Sequence, residues 1–181
     1  MPHVCPWWGG YFIDNRLRRL IHNPQKIVGP YVKPGMKVMD VGCGMGMFSI
    51  AMAKMVGNNG QVIAVDLQQQ MLDVLLKRAT KEGVADRIRP HHCEPDRLGI
   101  EGPVDFVLAF AMVHEVPDAR RLLTEIHSCL KPGGRLLVAE PRLHVSVRAF
   151  AETVSVAQDA GLVVVEEPGI RWCRAVVMGK E

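Results

Sequence analysis

The amino-acid sequence predicts an α/β fold in which a mainly parallel sheet alternates with helices. From residue 36 onward, short runs rich in β-branched residues alternate with helical patterns of about ten to fifteen residues, which is typical of βαβ units. The last two predicted strands are separated only by a turn at Pro168-Gly169, which is too short for a helical crossover. We therefore expect the sheet to end in an antiparallel hairpin.

The first half of this pattern contains two strand–helix pairs. Both helices repeat apolar side chains at helical spacing, as Leu72, Leu75 and Ala79 do in the second of them. Glycine residues follow the two helices at Gly57 and Gly83 and stop them. The predicted elements are a strand at Lys37–Val41, a helix at Met45–Val56, a strand at Gln61–Asp66 and a helix that ends before Gly83.

The second half continues the alternation and then closes with the hairpin. The segment Val104–Phe110 is apolar almost throughout, which is typical of a central strand covered on both faces. Asp118 can cap the helix that follows, and Lys131–Gly134 has the composition of a helix terminator. The predicted elements are strands at Arg87–Cys93 and Val104–Phe110, a helix from Asp118 to Leu130, a strand at Arg135–Ala139, a helix at Ser146–Ala160, and strands at Leu162–Glu166 and Arg171–Met178.

Composition excludes several classes of protein. The 181 residues are 48% hydrophobic and 23% charged, which is ordinary for a globular domain, and the formal charge of +3 is too small to indicate a nucleic-acid or membrane surface. No apolar run approaches the roughly 20 residues of a spanning helix, and Met1–Gly10 does not read as a secretory signal. The five cysteines form no CxxC pair, so we expect reduced thiols and a cytoplasmic protein.

A glycine-rich loop followed by an acidic residue predicts a nucleotide-like ligand. The loop is Gly42-Cys43-Gly44-Met45-Gly46, between a strand and a helix, where the backbone can approach a ligand. Asp66 ends the next strand, where a carboxylate can accept both hydroxyls of a ribose. The alternative is that the glycines only make a tight turn. Because Met47 occupies the last position of G-x-G-x-x-G/A, the loop does not match the dinucleotide fingerprint.

The stretches VMDVGCGMGMFSI, VIAVDL, DFVLAF and LKPGGRLLVAE occur in this order and resemble the motifs of class I S-adenosylmethionine-dependent methyltransferases. The resemblance covers about residues 35–179 and includes the closing hairpin, which dinucleotide-binding Rossmann domains lack. It implies a Rossmann-like, doubly wound, seven-stranded sheet with an antiparallel last strand in a three-layer αβα arrangement. It also implies S-adenosylmethionine as cofactor and, by similarity to the small single-domain branch, a small-molecule acceptor.

The resemblance assigns cofactor contacts to individual residues. Asp40 would hold the α-ammonium group directly or through water, and Asp66 would bind the ribose. Leu67 would pack on the adenine, and Glu94 occupies the place of the aspartate that the family usually has near the adenine amino group. The full set of implied cofactor-binding residues is Asp40, Gly42, Cys43, Gly44, Gly46, Asp66, Leu67, Glu94 and Phe110.

His114 is the candidate catalytic residue, because it lies in the stretch after the fourth strand that reaches over the methyl group in this fold. Neutral imidazole can accept a proton from a hydroxyl, thiol or amine. The stretch lacks the Asn/Asp-Pro-Pro-Tyr/Phe motif of enzymes that methylate nucleic-acid bases or protein glutamine, so we expect neither acceptor. The alternative is that His114 only hydrogen-bonds a neighbouring loop.

The sequence allows one alternative for the methyl acceptor and another for the class of protein. A thiol or metalloid acceptor would use His91 and Cys93 with His114, or His3 and Cys5, although no tight ligand spacing predicts a resident metal. The other is a different protein class. A cofactor-binding protein without catalysis would transfer nothing, and a nicotinamide-dependent oxidoreductase would need the missing small residue at position 47.

The N-terminal segment differs from the rest, so we predict an arm at residues 1–34 and a methyltransferase domain at 35–181. Trp7, Trp8, Tyr11 and Phe12 lie within six positions and are costly to leave in water. We expect Trp7, Trp8 and Tyr11 to bind substrate as part of a lid. The competing interpretations are that the aromatic residues pack on the outside of the sheet or join two subunits of a homodimer.

Overall fold

The computed structural model describes residues 21–100 and 102–181. Trp7, Trp8 and Tyr11 lie outside these residues, as do His3 and Cys5, so the proposed lid and the boundary at residue 34 stay predictions. The described chain forms two compact units, and the boundary between them lies between Cys93 and Glu94. We refer to them as the first and the second unit.

In its described residues, the first unit alternates helices and strands. Asn23 caps the first described helix by accepting from the Lys26 amide, and a proline follows at the first helical position, as helix starts prefer. The central strands and the helices on them bury large apolar side chains such as Met39, Ile63 and Leu75. The elements are α1 Pro24–Val28, β1 Lys37–Val41, α2 Met47–Val56, β2 Gln61–Asp66, α3 Gln69–Lys81, a 3-10 turn at Ala85–Arg87 and β3 Ile88–His92.

The second unit begins with an almost wholly buried strand and ends in the hairpin. Asp118 and Ser146 cap its two helices through backbone amides three residues onward. The two helices contact each other, and the second of them contacts the last two strands. The elements are β4 Val104–Phe110, a 3-10 turn at Val113–Glu115, α4 Ala119–Cys129, β5 Leu130–Pro141, α5 Val147–Asp159, β6 Val163–Glu166 and β7 Cys173–Gly179.

The strands form a seven-stranded sheet in the order β3-β2-β1-β4-β5-β7-β6. In the first unit β1, β2 and β3 are parallel, and in the second unit β5 is parallel to β4. β7 is antiparallel to both β5 and β6. The predicted fold class and its antiparallel ending are confirmed.

The helix after the glycine-rich loop begins later than the sequence predicts. We expect it from Met45, whereas α2 starts at Met47. The reason is Gly46, whose φ of +88° is left-handed and therefore cannot belong to the helix. Met45 remains part of the loop, and its carbonyl accepts from the Arg78 guanidinium at 3.2 Å.

The fifth strand begins earlier than predicted. Leu130, expected as the last apolar residue of the preceding helix, pairs instead with Val104 as the first residue of β5. The register then jumps so that Phe106 lies opposite Arg135. The expected terminator Lys131–Gly134 does end the helix, but it forms an irregularity within the strand because the pairing with β4 resumes on both sides of it.

Within the described residues, no helix combines the length and the apolar character needed to cross a bilayer.

Candidate functional site

The glycine-rich loop is tied to the end of β2 by backbone hydrogen bonds. The amides of Gly42 and Cys43 both donate to the Val65 carbonyl, at 2.9 and 3.0 Å. The Gly46 amide donates to the Cys43 carbonyl at 3.0 Å and closes the turn before α2. These bonds hold the loop against the strand that carries Asp66, so the two motifs recognised in the sequence lie side by side.

Two glycines of the loop are required for different physical reasons. Gly46 has a φ of +88°, and a Cβ there would come within 2.7 Å of Leu75 Cγ, so Gly46 permits close packing of the loop on α3. Gly44 has a φ of +53°, and a Cβ there would meet no described atom within 4 Å. The backbone at Gly44 therefore faces open space, which is the arrangement expected where a ligand approaches the main chain.

Asp66 fixes the glycine loop with its carboxylate. One oxygen accepts from the Gly44 amide at 2.8 Å and the other accepts from the Gln68 amide at 2.9 Å. The side chain is buried, and this burial raises its pKa above the ordinary aspartate value, although the hydrogen bonds from Gln68 and Gly44 oppose the shift. Each oxygen retains a further lone pair, so the carboxylate can still accept from ligand hydroxyls.

Asp40, at the end of β1, is a second buried carboxyl group beside the loop. Its Oδ2 accepts from the Ser49 hydroxyl of α2 at 2.5 Å. Burial raises the pKa of Asp40 to about 7, against the lowering effect of the Ser49 hydrogen bond and with a further increase from the charge of Asp66. A buried carboxyl group whose ionisation a second carboxylate disfavours makes this part of the first unit favourable for a cationic ligand.

Replacing Asp40 with asparagine is expected to stabilise the ligand-free protein in a pH-dependent way. Because the pKa of Asp40 is about 7 in the folded state and 3.8 in the unfolded state, the unfolded chain loses this proton first as the pH rises. The free energy of unfolding therefore falls between pH 3.8 and about 7, and the loss is complete above that range. Asparagine cannot ionise and can still accept from Ser49. The free energy of unfolding of the variant should therefore be greater than that of the parent by on the order of a few kcal/mol at pH 8, and the difference should be small at pH 4.

Urea unfolding at pH 4, 6 and 8 measures this difference. Asp73, an exposed carboxylate on α3 that accepts from Gln69 at 2.9 Å, provides the matched control, and Asp73→Asn should change stability little at any of these pH values. A stability difference for Asp40→Asn that is the same at pH 4 and pH 8 would contradict the raised pKa.

The end of β3, where a thiol or metalloid acceptor was considered, lies next to the end of β2. The His92 ring donates from Nε2 to the Leu67 carbonyl at 2.8 Å, and the Cys93 amide donates to the Asp66 carbonyl at 3.1 Å. Among the described residues, no group of three or more His, Cys, Asp and Glu side chains is arranged to hold a metal ion. Leu67, predicted to pack on the adenine, is half-buried directly after β2.

Cys43 is a buried thiol inside the loop. Burial raises its pKa well above the ordinary cysteine value, and the charges of Asp40 and Asp66 raise it further. The thiol is therefore protonated and unreactive at neutral pH, so its contribution to the loop is that of a small side chain.

In the second unit, His114 is paired with a buried carboxylate. It lies on the 3-10 turn after β4, and its Nδ1 hydrogen-bonds Glu140 Oε2 near the end of β5. The other oxygen of Glu140 accepts from the Val113 amide at 2.7 Å. Glu140 is 1% exposed, whereas the His114 side chain is 24% exposed, so one end of the pair is fixed in the interior and the other reaches the surface.

The charges around His114 raise its pKa above the ordinary histidine value. The hydrogen bond that His114 donates to Glu140 is the main cause, burial opposes the shift, and the charges of Glu140 and Glu115 add to it. Glu115 Oε1 lies 3.9 Å from Nε2, and the His144 ring stands edge-on at a centroid distance of 5.9 Å. His114 is thus a basic group held by a negative partner.

Glu140 was not among the residues predicted for the site. The available signal was an acidic residue at the end of an apolar strand, in LLVAE, where a buried carboxylate needs a specific partner. The other predicted residues of the second unit differ in burial. Phe110 is 7% exposed at the end of β4, and Glu94 is an exposed residue whose backbone forms a bridge with Arg97.

Comparison with known proteins gives a family and several relatives. The family described as "Methyltransferase domain" matches residues 38–134. A ubiquinone biosynthesis O-methyltransferase of Xanthomonas axonopodis is 32% identical over 82% of this chain and 60% of its own. A tRNA 5-carboxymethoxyuridine methyltransferase of Escherichia coli is 37% identical over 56% of this chain and 38% of its own. The chain thus spans between about two fifths and three fifths of these curated relatives.

A solved structure resembles almost the whole chain. The crystal structure of a SAM-dependent methyltransferase from Aquifex aeolicus has a TM-score of 0.85 and 25% sequence identity, and the match covers 97% of this chain and 98% of that chain. Similarity therefore extends beyond the segment that the family description matches.

Proposed function

The chain belongs to the methyltransferase-domain family, and from this membership we propose that it transfers a methyl group from S-adenosylmethionine to a small molecule. The observation that carries the proposal is the pair of buried carboxylates, Asp40 and Asp66, beside a loop whose backbone faces open space at Gly44. A cationic, ribose-bearing ligand satisfies all three features, because it supplies positive charge, hydroxyl donors and a surface to lie against glycine.

The residues of the first unit fit S-adenosylmethionine in the following roles. Asp40 neutralises the α-ammonium group, and the backbone of Gly42–Gly46 lies against the methionine part. Asp66 accepts from the ribose hydroxyls with the lone pairs that its bonds to the loop leave free. Leu67 packs on the adenine. Glu94 and Phe110 belong to the second unit, and their roles stay predictions of the family resemblance. When bound, the cofactor supplies a methyl group on a positively charged sulfur, which is reactive toward nucleophiles.

In the second unit, His114 is the proposed general base. Methyl transfer is an in-line displacement, so the protein has to position the acceptor, exclude water and remove the proton that the acceptor loses. The Nε2 atom of His114 is available for that proton, because the hydrogen bond to Glu140 occupies Nδ1. A cytoplasmic location belongs to the same proposal.

A small-molecule acceptor is favoured over RNA. A relative that matches 82% of this chain is named for ubiquinone biosynthesis, and the formal charge of +3 is small for a nucleic-acid surface. An RNA acceptor is the second candidate, because another relative is named as a tRNA methyltransferase. Affinity for tRNA that falls steeply with salt would favour the second candidate.

The test is an acceptor screen that measures S-adenosylhomocysteine release, with phenolic, quinone-precursor, thiol and carboxylate compounds and bulk tRNA as separate arms. The proposal predicts release with at least one small molecule and none with tRNA. Titration with reduced nicotinamide cofactor is the control for the oxidoreductase alternative and should give no saturable fluorescence change. Release with tRNA alone would contradict the small-molecule assignment, and absence of S-adenosylmethionine binding would contradict the proposed activity altogether.

A further inference from the structure

Glu140 has a more specific role than filling the interior, and this role rests on the proposed function. We infer that Glu140 is a positioning residue for methyl transfer: it holds His114 in the tautomer that carries its proton on Nδ1, so that the lone pair on Nε2 is free to accept a proton from the methyl acceptor. The juxtaposition that carries this inference is a carboxylate with 1% exposure whose two oxygens bond two successive residues of one turn.

The tautomer follows from the donors and acceptors at Glu140. An ionised carboxylate only accepts hydrogen bonds, so the Nδ1 atom that contacts it has to carry the proton. The Val113 amide is a fixed donor at 2.7 Å from the other carboxylate oxygen, and it prevents the group from rotating away. Because two donors share one buried anion, the orientation of the His114 ring is set by β5 and not by its own flexible turn.

The groups that face His114 in the described residues support Nε2 as the reactive atom. Glu140 lies on the Nδ1 side. Glu115, on the same turn, places a carboxylate oxygen 3.9 Å from Nε2, which favours the imidazolium once Nε2 has accepted a proton. The His144 ring presents its edge at a centroid distance of 5.9 Å. Among the described groups, Glu115 therefore provides a charge close to Nε2 that stabilises the protonated product.

The proton-transfer step balances without any further reactant. The acceptor's bond to hydrogen breaks and its proton moves to His114 Nε2. The acceptor's electron pair forms the new bond to the methyl carbon, and the pair of the broken carbon–sulfur bond stays on sulfur, which becomes a neutral thioether. The imidazolium, whose charge Glu140 compensates, then releases the proton to water. An acceptor that has no proton to lose would make the pair unnecessary.

The direct test is nuclear magnetic resonance of the 15N-labelled chain without ligand. Long-range 1H–15N correlation spectra, with His114 assigned by its absence in His114→Gln, distinguish the two neutral tautomers from the imidazolium. We expect the neutral ring at high pH to carry its proton on Nδ1. A neutral ring that carries its proton on Nε2 in the native chain would overturn the inference, and this result requires no variant of Glu140.

Glu140→Gln should reverse the tautomer. The Val113 amide needs an acceptor, so the glutamine carbonyl has to face it and the amide group has to face Nδ1, where it donates. His114 then carries its proton on Nε2, and its pKa falls below that of the native protein. Glu115→Gln is the matched control because it neutralises the other nearby carboxylate without touching Nδ1, and it should leave the tautomer unchanged. An unchanged tautomer in folded Glu140→Gln would overturn the inference.

Kinetics with an identified acceptor gives a readout that a purely structural role would not change. Glu140→Gln should lower kcat by at least tenfold with KM within a few-fold, and the residual rate should lose the dependence on His114 ionisation. Loss of fold would instead abolish cofactor binding. The proposed function fails if the chain does not bind S-adenosylmethionine, whereas the inference fails on the tautomer alone, so the two failures are distinguishable.

Discussion

Replacing Asp66 with alanine is expected to weaken S-adenosylhomocysteine binding by at least tenfold. The change removes the acceptor proposed for both ribose hydroxyls, and hydrogen bonds to a charged group contribute about 1.5–3 kcal/mol. It also removes the clamp on the Gly44 amide, whose bond to Asp66 is 2.8 Å long, so the loop loses part of its preorganisation. Both effects act in the same direction, and calorimetric titration measures their sum.

The control for this substitution is another carboxylate of the first unit. Asp73 is exposed on α3 and accepts from Gln69, so Asp73→Ala changes the net charge by the same amount without touching the loop. We expect native affinity in that variant. Native affinity in a folded Asp66→Ala variant would show that the ribose lies elsewhere.

The second large effect is expected at His114. His114→Gln should reduce turnover of an identified acceptor by about 10²- to 10⁴-fold, which is the usual contribution of general acid–base catalysis. Cofactor affinity should stay within a few-fold, because His114 belongs to the proton-transfer machinery. In the native enzyme the rate should rise as the Nε2 atom loses its proton, and the midpoint should lie above the ordinary histidine pKa since Glu140 raises it.

A histidine outside the proposed site serves as the comparison. His127, on α4, has a pKa lowered by burial and by the charge of Lys180, and its replacement by glutamine should leave turnover and the pH profile unchanged. If His114→Gln turned over the acceptor at the native rate, His114 would not be the general base, and its side chain would only anchor its turn.

The fold could be predicted because its signals are local. Hydrophobic periodicity predicted α2, α3 and α4, and the short turn at Pro168-Gly169 predicted the antiparallel ending that β6 and β7 show, whereas the short helix α1 was not predicted. The helix and strand boundaries that differ from the prediction depend on tertiary structure. Leu130 satisfies a helical pattern, but its pairing with Val104 assigns it to β5, and no local signal distinguishes the two states.

One part of the candidate site could likewise be predicted from local sequence signals, whereas another part depends on tertiary structure. Asp40, the glycines and Asp66 follow one another along a strand–loop–helix–strand segment, so their proximity could be predicted from order alone. Glu140 was missed because it is 26 residues from His114, and their contact depends on where β4 and β5 end relative to each other. Strand register of this kind is set by packing and is not visible in the spacing of residues.

The proposal that S-adenosylmethionine binds at the glycine loop is tested most directly by titrating the chain and its Gly44→Ala variant with S-adenosylhomocysteine. A Cβ at Gly44 would fill space that no described atom occupies, so we expect the folded state to lose only about 1–2 kcal/mol from the left-handed backbone. Gly83→Ala, at a φ of +68° with equally open space, is the control for that strain. We expect saturable one-site binding in the parent and in Gly83→Ala, and none in folded Gly44→Ala. Native affinity in Gly44→Ala, or no binding by the parent chain, would contradict the proposal.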